Sequence, residues 1–146
     1  MPDLHLNIIP RKPFRSYIER EERWACIVAH RRAGKTVACI MDLIKRAAEC
    51  KRKDPRFAYI APTYTQAKDV AWAYLKAFTS GIPGMIVSET ELSVTFPTNS
   101  ARIRLYGAEN YDRLRGLYLD GAVIDEAGDL DPRAFPEVIR PALSDR

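Results

Sequence analysis

Apolar residues in this chain fall into short unbroken runs, helical stripes and one alternating stretch, and each predicts a different element. Ala25–Ala29 (ACIVA) and Phe57–Ala61 (FAYIA) are compact apolar runs of the kind shown by strands buried on both faces. Between them Val37, Ile40, Met41, Ile44, Ala47 and Ala48 recur at helical spacing, predicting a helix from Lys35 to about Lys51 that Pro55 stops. A second helix is predicted from about Gln66 to Phe78, its apolar face formed by Ala67, Val70, Ala71, Tyr74, Leu75 and Phe78. Thr63 and Gln66 have capping-box spacing at its start. Beyond the turn at Ile82-Pro83-Gly84, Leu92, Val94 and Phe96 alternate with polar neighbours. Ile103 and Leu105 do the same across Pro97-Thr98-Asn99-Ser100, which predicts a half-buried hairpin. Ala122-Val123-Ile124 is another buried strand, and Asp131-Pro132 opens a last helix carrying Phe135, Val138, Ile139 and Leu143. This order predicts an α/β fold: a mainly parallel sheet flanked by helices, with a β-hairpin insertion.

Composition narrows the picture only slightly. The 146 residues suit one domain, and 47% hydrophobic with 29% charged residues excludes global disorder. No stretch approaches the ~20 consecutive apolar residues of a membrane span, and the first residues lack the apolar core of a signal peptide. Cys26, Cys39 and Cys50 have neither zinc spacing nor disulfide pairing, so they are expected to be small buried thiols. The net charge of +4 is uneven, with basic residues concentrated before Phe57. Lys51-Arg52-Lys53 could face a phosphate backbone or simply solvate a helix end.

Candidate chemistry changes it far more. Ala29-His30-Arg31-Arg32-Ala33-Gly34-Lys35-Thr36 matches the phosphate-loop pattern G-x-x-x-x-G-K-[ST] except for Ala at the first glycine, and it lies between a predicted strand and a predicted helix. In such a loop backbone N–H groups and a helix N-terminus surround the phosphates. Lys35 is expected to reach the β- and γ-phosphates and the Thr36 hydroxyl to bind Mg²⁺. Gly34 permits close backbone approach. His30 has no acid or nucleophile at useful spacing and belongs to the loop rather than to catalysis.

The second signal is Gly121-Ala122-Val123-Ile124-Asp125-Glu126, an apolar strand ending in two carboxylates. Open α/β sheets bind ligands at the carboxyl ends of their strands, where Thr36 and both acids would meet. Asp125 is the expected Mg²⁺ ligand, and Glu126 is expected to polarise the attacking water.

Three segments resemble the large terminase subunit, the DNA-packaging motor ATPase of tailed bacteriophages: AHRRAGKT, YIAPTYTQAKDVAW and DRLRGLYLDGAVIDEAGDLDP. The resemblance implies a P-loop NTPase of the additional-strand type, an ATP- and Mg²⁺-dependent hydrolase with Walker A and Walker B motifs. Its implied partners are double-stranded DNA, a portal protein and a small terminase subunit. A homo-oligomeric ring in the cytoplasm of an infected bacterial host, with no membrane association, completes the expectation. By the same resemblance Arg31 contacts the γ-phosphate within its own subunit, with Arg32 as the alternative. Arg115 acts on a neighbouring subunit's site, with Arg113 as its alternative. Thr63 and Tyr64 sit where such motors couple the site to DNA, although Thr63 also reads as a helix cap. Adenine recognition falls to Arg11, Phe14 or Tyr17. Residues 1–146 are expected to form a single ATPase domain that lacks the last strands of the motor's sheet and the nuclease domain. The competing expectations are a helicase-like P-loop ATPase acting on single strands and an inactive nucleotide-binding fragment. Asp-Glu-Ala-Gly rather than Asp-Glu-Ala-His after the acidic strand speaks against the helicase.

Overall fold

The computed structural model describes residues 12–30 and 34–144. Its first regular elements are the short helix α1 (Arg15–Ile18) and the long helix α2 (Lys35–Glu49). α2 buries Ile40, Leu43, Ile44, Ala47 and Ala48 against the sheet, following the apolar stripe. Its end is set differently from expectation. The helix stops at Glu49, well before Pro55, and the Asn99 amide donates to the Ala47 carbonyl at 2.9 Å and to Cys50 at 3.0 Å. A side chain from the hairpin turn thus satisfies carbonyls that a helix end leaves open.

Five strands follow: β1 (Arg56–Ala61), β2 (Ile86–Ser88), β3 (Ser93–Thr95), β4 (Arg102–Gly107) and β5 (Gly121–Ile124). They lie in the order β2-β3-β4-β1-β5. β1 pairs in parallel with β4 and β5, Tyr59 lying opposite Leu105 and Val123. β3 pairs antiparallel with β4, the expected hairpin, and β2 extends it by one strand that the pattern did not announce. Phe57, Tyr59, Ile103, Leu105 and Val94 pack toward α2, whereas Ala58 and Ile60 face the C-terminal helix.

Between β1 and β2 runs a helical stretch of α3 (Tyr64–Ala67), a π-turn (Lys68–Trp72) and α4 (Ala73–Thr79). The wide turn inserts residues into the 3.6 repeat and rotates the buried face. Ala67, Ala71, Trp72 and Leu75 are buried, whereas Val70 and Tyr74, expected in the core, are about two-fifths exposed at 42% and 43%. After β5 a second π-turn (Phe135–Ile139) leads into α5 (Arg140–Ser144). Val138, Ile139 and Leu143 are buried there, and Phe135 instead meets Trp24 edge to face at 6.2 Å.

One expected strand is absent. Ala25–Ala29 carries no ladder, Val28 is 93% exposed, and β5 has no second neighbour among the described residues. A five-residue apolar run states a preference for burial, but a strand exists only where a ladder forms, and this run makes none although one edge of β5 is open among the described residues. The cysteines depart from expectation as well: Cys26, within this run, is exposed, while Cys39 and Cys50, in α2 and at its end, are partly buried.

α1 is clasped to α2 by charge. Asp42, 2% exposed on the inner side of α2, pairs with Arg20 and with Arg46, each at 3.1 Å. Arg20 also donates to the Tyr17 carbonyl at 2.7 Å and stacks over the Tyr17 ring.

Candidate functional site

Gly34 caps α2 in the left-handed conformation (φ +94°), and its carbonyl accepts from Ala38 N–H at 3.1 Å. A side chain would be strained there, so glycine sets the angle at which the loop enters the helix. Lys35 opens the helix, and its Nζ donates to the Ala29 carbonyl at 2.8 Å, folding the ammonium back over the loop's first residue. Thr36 follows in the first turn, partly buried. Arg31, Arg32 and Ala33 lie outside the described residues, as does Arg11. His30 is exposed and joins Ala29, Phe14, Tyr17 and Arg20 in lining a cleft of about 700 Å³ between α1 and the loop.

The acidic pair arrives from β5. Asp125 N–H donates to the Ile60 carbonyl at 2.8 Å, continuing the ladder one step past the strand and placing Asp125 beside β1. Both its carboxylate oxygens are engaged. Oδ2 accepts from the Tyr59 hydroxyl at 2.5 Å, and Oδ1 accepts from the Glu126 N–H at 3.0 Å. Glu126 is exposed and takes a left-handed backbone (φ +49°), an uncommon conformation for a side chain of its kind.

Electrostatics around Asp125 keep neighbouring groups neutral. Burial pushes the Tyr59 hydroxyl well above the usual phenol range, and its bond to Asp125 and that group's charge push it further, against a lowering by Thr36. The Cys39 thiol, one turn along α2, is pushed up to about 11, chiefly by burial and then by Asp125 and Asp42. The neighbouring Tyr17 acts in the opposite direction.

The remaining sequence candidates lie apart. Arg115 is held on the surface by Asp112 (2.9 Å) and Glu137 (3.6 Å), and no contact joins it to the groups around Asp125 among the described residues. The Asp112 bond, which comes first, raises its pKa. Thr63 forms a complete capping box with Gln66, and Tyr64 N–H donates to the Glu109 carboxylate at 2.9 Å. Both residues are thus occupied in building the β1–α3 turn. Tyr59 is the residue the pattern missed. A hydroxyl inside an otherwise apolar strand run was its only signal.

No protein-family model and no curated protein matches the chain. Solved structures do. The large terminase ATPase domain of Thermus phage P74-26 superposes on 80% of this chain with a TM-score of 0.63 and 24% identity. The fold is that of phage large-terminase ATPase domains. It is a P-loop NTPase fold, mixed α/β with helices flanking the sheet. A large terminase from a thermophilic bacteriophage matches over 77% of the chain at a TM-score of 0.64 and 21% identity. Structures of that terminase with ADP and with ATP-γ-S match at 20% and 19% identity. The chain covers 53% of the Thermus phage terminase domain and 29% of the other terminase, so it spans a part of each.

Proposed function

We propose that this chain is the ATP-hydrolysing motor domain of a phage terminase large subunit, driving double-stranded DNA into a procapsid. The observation that carries the reading is Asp125 at the carboxyl end of β5, set beside β1 with its carboxylate held by Tyr59, within a terminase-like fold whose α2 opens with Lys35 and Thr36.

In this mechanism the loop before Gly34, with Arg31 or Arg32, surrounds the triphosphate, and Lys35 leaves the Ala29 carbonyl to reach it. Thr36 and Asp125 would hold Mg²⁺. One hydroxyl and one carboxylate are hard oxygen donors, and with so few of them the ion's remaining positions suit phosphate oxygens and water, as Mg²⁺ prefers. When bound, the ion neutralises charge developing on the phosphates. Glu126, exposed just past Asp125, orients and polarises the attacking water. The base lies in the cleft beside Phe14 and Tyr17. Arg115 reaches a neighbouring subunit's nucleotide after leaving Asp112 and Glu137. An arginine at that position is worth roughly 10³–10⁵ in rate, so turnover rises on assembly into a ring. Portal and small-subunit partners belong to the same reading. DNA contacts fall mainly on phosphates and weaken steeply with salt.

Calorimetry with Mg·ATP tests it, on the parent and on Lys35→Ala. Binding by the parent and its loss in the variant are expected. DNA-stimulated turnover that Glu126→Gln abolishes is the second expected result. A folded parent that binds no nucleotide overturns the assignment, and stronger stimulation by single-stranded than by duplex DNA overturns the packaging role.

A further inference from the structure

Tyr59 invites a question that its burial alone does not answer. It is 1% exposed in the interior strand β1, between Leu105 and Val123, where phenylalanine would fill the same volume without a polar atom to satisfy. Its hydroxyl proton goes to Asp125 Oδ2, so the one proton a neutral phenol has to give is committed to that carboxylate.

That bond matters for cation binding. Asp125 must present its carboxylate in one rotamer, and the bonds from Tyr59 to Oδ2 and from the Glu126 N–H to Oδ1 hold it in one before any ion arrives. We propose that Tyr59 is a positioning residue that presets Asp125 for a divalent cation, a role that rests on the nucleotide-site reading above. It acts only through the carboxylate it holds.

The experiment measures ATP-γ-S affinity by calorimetry twice for each protein, once with Mg²⁺ and once with EDTA. The ratio is the metal-dependent gain. Tyr59→Phe keeps the ring and removes the bond to Asp125. Partners that orient metal ligands typically contribute 10–100-fold to metal affinity, so the gain is expected to shrink about tenfold. Affinity in EDTA should stay within about twofold of the parent. A merely structural role would lower both affinities together or neither, and either pattern overturns the proposal. If the parent itself shows no metal-dependent gain, the underlying nucleotide-site reading fails and takes the proposal with it. Retention of the gain by Tyr59→Phe in the presence of a normal parent overturns Tyr59 alone. Tyr59→Met, another unbranched filler of the same site, carries the same expectation should Tyr59→Phe not fold.

Discussion

Replacing Asp42 by alanine should be among the most damaging single changes away from the candidate site. Asp42 lies 2% exposed between two guanidiniums, and its partners differ in their freedom. The Arg46 side chain is 35% exposed and can turn to water, but that of Arg20 is only 13% exposed, and its Nε already lacks a partner. Removing the carboxylate strands a buried cation, which costs roughly 3–5 kcal/mol in comparable sites. In a chain of this size each kcal/mol moves the melting temperature by about 2–4 °C, so a fall of roughly 6–20 °C is expected by calorimetry. The double variant Arg20→Met with Asp42→Leu should recover most of the loss, because an apolar pair leaves no stranded charge. A fall of under about 2 °C for Asp42→Ala, or a double variant no better than the single one, would refute this account of how α1 is held.

Other positions give sharper local tests. A Cβ on Gly107 would lie 2.1 Å from the Tyr64 nitrogen and equally close to Glu109 Oε1; Gly107→Ala should therefore break the bond between them and cost about 2 kcal/mol or more in urea unfolding. Thr63→Ala removes one half of the capping box and should cost about 1 kcal/mol, visible as a lower urea midpoint with an unchanged slope. The raised Cys39 pKa predicts alkaline sensitivity. From about pH 9, where the unfolded thiol ionises, to about 11, the unfolded state holds fewer protons than the folded one, so stability falls as pH rises. Cys39→Ala should flatten that part of the stability curve in chemical-denaturation series, leaving only the contribution of the buried tyrosines.

What was legible in the sequence followed from periodicity backed by a partner. Phe57–Ala61, Ala122–Ile124 and the stripe of α2 became elements because β4, β1 and the sheet were there to receive them. Ala25–Ala29 has the same local pattern and no ladder, because pairing is a property of two segments and only one is visible in a run. Val70 and Tyr74 were misplaced by a π-turn, which carries no compositional mark and shifts every later residue around the helix. The loop and acidic motifs announced Lys35, Thr36, Asp125 and Glu126. They were silent on Tyr59, Asn99 and Asp42, whose roles depend on contacts across 66, 52 and 22 positions of chain or more.

The left-handed backbone at Glu126 places two demands on one position. The conformation favours glycine, asparagine or aspartate and costs other residues roughly 1 kcal/mol. Of those favoured residues only aspartate keeps a carboxylate, and it is shorter by one methylene. Relief of backbone tension and the full reach of the acid are therefore mutually exclusive here. Selection for stability alone would drift this position toward asparagine or glycine, so a glutamate that persists across sequences at this angle would itself report that the carboxylate is in use.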